Sequence, residues 1–134
     1  MASLLKVDSL TGVTTAGSIS VTGEGNSTTT NLQQGLLKAW VRIDGDASPA
    51  SIDDSFNCAA ITDNGTGDYN VSRTNNMSSA ATYYVIEGQY INSGHTGGAW
   101  WDGTTTTATV QYKVFDSSAA DRDPVGYAVI GDLA

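Results

Sequence analysis

From Leu37 onward, apolar and polar residues alternate in short runs, the period of two that marks half-buried strands. Ala39, Val41 and Ile43 alternate with Lys38, Trp40, Arg42 and Asp44, which predicts a strand ending at Gly45. Trp40 falls opposite the aliphatic face, so both faces of this strand are expected to be covered. The turn residues Asp44-Gly-Asp-Ala-Ser-Pro49 lead into a second predicted strand, Ile52 to Ala60, with Ile52, Asp54, Phe56 and Cys58 in phase. Asp54 interrupts that face. Ala60-Ile-Thr62 and Tyr69-Asn-Val71 flank Asp63-Asn-Gly-Thr-Gly-Asp68, and Asn-Gly readily takes the positive φ of a tight turn, which predicts a hairpin.

Farther on, Ala81 to Ile91 is rich in aromatic and β-branched residues and reads as a central strand. Ser93-Gly-His-Thr-Gly-Gly-Ala-Trp-Trp-Asp-Gly103 reads as a long glycine-rich loop. Ala108, Val110, Tyr112 and Val114 alternate in the next strand, and Val125 to Ile130 supplies the last. Six to eight short strands separated by turns predict an all-β protein, an antiparallel β-sandwich of jelly-roll-like or Ig-like kind.

The chain before this region is different. Residues 1–31 are dominated by Ser, Thr and Gly, with isolated apolar residues at Leu4, Leu5, Val7, Leu10, Val13, Ile19 and Val21. Such a segment buries too little surface to fold alone. Two readings fit it, a loose tail or an extended N-terminal arm whose spaced apolar residues dock on a neighbour. The alternation in Ser18-Ile-Ser-Val-Thr22 favours the arm, with Leu4, Leu5, Val7, Leu10, Ile19 and Val21 as its contacts. Asn31 can cap a single helical turn over Leu32 to Lys38 that Gly35 weakens. The expected organisation is therefore arm and linker over 1–34 and a β-sandwich domain over 35–134.

Composition agrees with strands over helices: 40% of residues are hydrophobic, only 15% are charged, and 15 are glycine. A net charge of −8 repels phosphate backbones and anionic headgroups, so neither nucleic acid nor membrane insertion is expected. No run of roughly 20 apolar residues and no signal-peptide pattern is present, which leads us to expect synthesis in a cytoplasm or host cytoplasm. The single cysteine, Cys58, reads as a small buried hydrophobe rather than a reactive thiol.

Catalytic material is thin. His95 is the only histidine and no nucleophile motif accompanies it, so no catalytic residue, cofactor or metal site is expected. The acidic pairs Asp53 with Asp54, Asp121 with Asp123, Asp44 with Asp46 and Asp63 with Asp68 flank turns or fall on opposite strand faces. Turn geometry explains them better than glycoside chemistry or calcium. Trp100 and Trp101, near His95, form the candidate contact patch, suited either to a sugar face or to a subunit interface.

Gly35-Leu-Leu-Lys-Ala-Trp-Val-Arg-Ile-Asp-Gly45, Ile52-Asp-Asp-Ser-Phe-Asn-Cys58 and Ile61-Thr-Asp-Asn-Gly-Thr-Gly-Asp-Tyr-Asn-Val71 together resemble a module of tail-fibre and other virion proteins of tailed bacteriophages. The resemblance covers about residues 35–91. It implies a non-enzymatic structural subunit on the virion surface, a homotrimer whose partners are its own copies and the major capsid or other virion proteins. The chain lacks the shaft of a long tail fibre, which favours a head-decorating (cement) protein that stabilises the capsid and is anchored by the arm. The alternative it implies is a tail fiber or receptor-binding protein that meets a host glycan through Trp100 and Trp101.

Overall fold

The computed structural model describes residues 4–12, 19–22, 29–88, 90–92, 95–101, 105–116 and 118–133, with backbone alone at 33–34, 90–92, 95–101 and 116. The chain divides into two compact units, Met1–Gly35 and Leu36–Ala134.

In the first unit, β1 (Ser20–Thr22) pairs antiparallel with β2 (Thr29–Asn31), Val21 facing Thr30. The Leu32 N–H donates to the Ile19 carbonyl at 2.9 Å, closing this ribbon. The alternating residues 20–22 thus find a partner within their own chain. The helical turn α1 (Leu32–Gly35) ends at Gly35, short of the expected Lys38.

In the second unit, β3 (Leu37–Asp44), β4 (Ser51–Phe56), β5 (Cys58–Gly65), β6 (Asp68–Arg73), β7 (Tyr83–Glu87), β8 (Tyr90–Asn92), β9 (His95–Trp101), β10 (Thr109–Asp116), β11 (Ser118–Ala119) and β12 (Val125–Gly131) follow in order. They form two antiparallel sheets. One has the order β4-β3-β12-β7; the other is six-stranded, β5-β6-β10-β9-β8, with β11 also pairing β10. Within the second sheet, β6-β10-β9-β8 is a Greek-key order with β7 diverted to the opposite sheet.

One core lies between them. Ala39, Val41 and Ile43 of β3 and Val125, Tyr127 and Val129 of β12 meet Tyr69 and Val71 of β6 and Val110, Tyr112 and Val114 of β10. Each set is spaced by two along its strand, so one face of each sheet turns inward. The protein is all-β, an antiparallel β-sandwich. On the outer face of β3, Lys38 is buried and Trp40 and Asp44 half-buried, while Arg42 is exposed.

Three departures from the sequence reading have physical causes. The expected strand from Ile52 to Ala60 is two strands in different sheets, broken at Asn57, whose φ is +57°. Asn tolerates the left-handed region better than other non-glycine residues. Its side chain also fixes the corner: Asn57 Nδ2 donates to the Lys38 and Asn75 carbonyls at 2.9 and 3.1 Å, and Oδ1 accepts from the Asn75 N–H at 2.7 Å.

Second, Ala81 to Ile91 is not a central strand. Residues 83–87 form the edge strand β7, and Tyr90 and Ile91 belong to β8 in the other sheet. Third, most of the predicted loop from Ser93 to Gly103 is the strand β9, paired to β10 with Trp101 opposite Tyr112 and Ala99 opposite Val114. Its glycines lower strand propensity, but the ladder to β10 supplies the hydrogen bonds that decide the conformation.

Candidate functional site

The acidic residues can be followed one by one. Arg42 faces Asp54 across β3 and β4, and the next paired residues are Ile43 and Ile52, so Asp53 is an extra residue in a β-bulge. The bulge reverses the alternation: Ile52 packs against the core, but Asp54 and Phe56 emerge opposite Arg42 and Trp40 on the outer face. This accounts for the interrupted face. The Arg42 guanidinium reaches Asp53 at 3.4 Å and Asp123 at 3.8 Å, both exposed contacts of little energetic weight.

At the β5–β6 hairpin the turn is one step later than Asn-Gly implies. Gly65 (φ +125°) and Gly67 (φ +65°) take the positive angles, and Thr66-Gly67 form the tip. Asp63 accepts from the Gly65 N–H at 2.9 Å and the Ala50 N–H at 3.1 Å. Asp68 accepts from Gln111 Nε2 at 2.9 Å and lies 3.5 Å from Lys113 Nζ. Burial pushes the Asp68 carboxyl up, but hydrogen bonds from Gln111 and Asn64 and the Lys113 charge outweigh it, and its pKa is lowered.

Asp121 Oδ1 accepts from the Gly67 N–H at 2.7 Å and the Tyr69 hydroxyl at 2.8 Å, tying the hairpin tip to the segment between β11 and β12. Asp44 Oδ1 accepts from the N–H groups of Asp46 and Ala47, an Asx turn. Asp44, Asp53, Asp54, Asp63, Asp68, Asp121 and Asp123 are thus each engaged by backbone N–H groups, by a neighbouring side chain or by a cation. Among the described residues no three His, Cys, Asp or Glu side chains converge.

Cys58 is half-buried, and its thiol lies 3.4 Å from the Trp40 carbonyl. Burial raises its pKa, outweighing the opposing pull of the nearby Arg73 guanidinium. Arg73 is buried on the inner face of β6. Its Nη1 donates to the Thr106 and Thr107 carbonyls at 3.1 and 2.8 Å, and the guanidinium stacks on the Tyr83 ring at 4.5 Å. The Tyr83 hydroxyl donates to the same Thr106 carbonyl at 2.7 Å. This buried cation fastens the strap before β10 and seats β7 against the core, a structural post that the sequence did not signal.

The expected contact residues separate into two groups. In the arm, Leu4 and Leu5 are 78% and 79% exposed, and Val7 and Leu10 are also exposed. Val21 is exposed on β1, and Ile19 is half-buried beside it; Val13 lies outside the described residues. His95, Trp100 and Trp101 sit on β9, where Trp100 pairs with Lys113 and His95 with Asn92. Their side chains lie outside the described part of the structure, as does Asp102.

Pattern analysis of the sequence does not single out the outer edge of β7. Tyr84 and Ile86 are 71% and 45% exposed there, beside a groove of about 380 Å³ lined by Ala80, Tyr83, Tyr84, Val85, Ile86 and Thr105 among others. The signal for it is the uninterrupted Tyr83-Tyr-Val-Ile-Glu87 run. No protein-family model, curated protein or solved structure matches this chain.

Proposed function

We propose that this chain is a non-enzymatic structural subunit of a tailed-bacteriophage particle, a trimeric decoration of the capsid surface that attaches through its N-terminal arm. The observation that carries the attachment is the exposure of Leu4, Leu5, Val7 and Leu10 ahead of the sandwich. Burying such a side chain in a partner contributes about 1.5–3 kcal/mol, and ordering each backbone residue costs about 1–2 kcal/mol. One arm therefore binds weakly. Copies linked in a trimer would raise the effective concentration of the others, so that three weak arms hold firmly.

The sandwich itself supports the same reading, since Tyr112 fastens one sheet to the other, Asp121 holds the hairpin tip and Arg73 fastens the strap before β10. The phage assignment rests on the resemblance carried by residues 35–91. The test is incorporation into particles. The full chain with Leu4, Leu5, Val7 and Leu10 replaced by Asp should fold normally yet be missing from purified virions by quantitative mass spectrometry. Normal incorporation would refute the arm as the anchor. The wild-type copy number should scale with that of the major capsid protein; a small fixed number per particle would instead mean a tail or vertex fibre.

A further inference from the structure

The outer edge of β7 is the one undefended edge among the described strands of the sandwich. Sheet edges invite foreign strands, and proteins blunt them with charge, bulges or shortness. β4 carries Asp53 and Asp54 and a bulge, β5 has two register shifts, and β8 is three residues long. β7 is five residues with no bulge, glycine or proline, and its only charge is the terminal Glu87. Its inner edge is paired to β12, and its outer edge borders the groove, which Glu87 lines at one end of the strand.

We infer that this edge receives the arm of a second copy, which adds residues 4–7 to the β4-β3-β12-β7 sheet as a further strand. The inference rests on the arm reading above and divides the arm: residues 4–7 join one copy to the next, and Leu10 is left to meet the capsid. Three observations choose the occupant. The arm offers an unpaired apolar segment, Leu4-Leu-Lys-Val7, whose side chains meet solvent in one copy. The added segment is complementary in charge: Lys6 is the only charged residue of 4–7, whereas residues from Leu36 onward carry five Lys and Arg against twelve Asp and Glu. Its tether is long, since the chain from Val7 to Ser20 can extend up to roughly 40 Å at ~3.3 Å per residue.

Backbone hydrogen bonds along the edge would hold the strand, and Leu5 or Val7 would lie over Tyr84 and Ile86 beside the groove. An arm passing from each copy to the next is a heterologous contact, which closes into a ring such as a trimer. Direct pairing of two β7 edges would be isologous and stop at a dimer.

The test compares two full-length variants by sedimentation: Leu5→Asp with Val7→Asp in the arm, and Tyr84→Lys with Ile86→Lys on the edge. All four positions are exposed, and near-ultraviolet circular dichroism verifies the fold. Both variants should fall from the assembled mass to the monomer. On a Cys58→Ala background, a mixture of Leu5→Cys and Ile86→Cys chains should form a disulfide-linked pair that neither forms alone. If only the arm variant dissociates, the arm docks elsewhere and the receptor assignment fails while the arm reading stands. If only the edge variant dissociates, the edges pair with each other and the inference is wrong. A monomeric wild-type chain at assembly concentrations would overturn both.

Discussion

The Tyr112 hydroxyl donates a 2.8 Å hydrogen bond to the Gly126 carbonyl, joining β10 of one sheet to β12 of the other through the interior. The approach is close because Gly126 has no side chain: a Cβ there would lie 2.1 Å from the Val41 carbonyl oxygen. The same carbonyl accepts from the Gly88 N–H at 3.0 Å, so the chain leaving β7 is held at this point too. Burial raises the Tyr112 pKa, against the opposing effect of its bond to Gly126, so the phenol stays a donor at neutral pH.

Two substitutions separate the hydrogen bond from the close approach. Tyr112→Phe should cost about 1–2 kcal/mol, because the 2.8 Å bond to Gly126 and the longer 3.3 Å contacts with the Gly88 carbonyl and Gly126 N–H are lost while the Gly126 carbonyl keeps the Gly88 N–H. Gly126→Ala should cost about 3 kcal/mol or more, because backbone must move to admit a methyl group. Urea midpoints at constant m-value give both numbers. An unperturbed Gly126→Ala chain would mean that β3 and β12 are not as close as described.

Asn57 contributes to the corner through both its backbone and its side chain. Asn57→Gly keeps the positive φ and loses the bonds to Lys38 and Asn75, whereas Asn57→Ala loses the bonds and adds strain. Alanine should therefore be the more destabilising by about 1–2 kcal/mol, the cost of the left-handed region. Equal effects would show that the side-chain bonds alone hold the corner.

Asp68 couples stability to acidity. Its pKa is lowered in the folded chain, so the stability it contributes is fully present above the unfolded value of about 3.9 and is lost as pH falls through the folded one. Asp68→Asn should be less stable than wild type near neutrality, and the two should converge in acid. Urea midpoints measured down the acid range decide it, and a constant gap between the two proteins would rule Asp68 out.

Cys58 should react slowly. Burial holds its thiol protonated at neutral pH, so alkylation of the native protein should be far slower than of the urea-unfolded chain. Rapid native labelling would mean that the β4–β5 corner opens readily.

What could be read in the sequence follows from how locally each feature is determined. The alternations Ala39-Val41-Ile43 and Val125-Tyr127-Val129 are visible because a strand with one buried face repeats every two residues. The bulge at Asp53 has no local signature, since its extra residue is defined only by the partner strand, and Asp54 looks misplaced until Arg42 is set opposite. β9 is hidden for a related reason: Gly97 and Gly98 suggest a loop, and only the ladders to β8 and β10 make them strand. The corner was within reach, because an asparagine inside a run too long for one strand marks a change of direction. The arm's apolar residues stand out by their isolation, but the open edge of β7 depends on which strands neighbour it in space.

The bonds beside β3 also determine how the fold bears a load. β3 is central, with β4 on one side and β12 on the other, and the arm enters it directly at Leu37. Tension on the arm would therefore act along the strand, across hydrogen bonds that run perpendicular to it in both ladders. Those bonds would resist in shear and share the force between two ladders, whereas an arm leaving from an edge strand such as β7 would load a single one. A chain tethered at this point would withstand a sudden pull better than its modest size suggests.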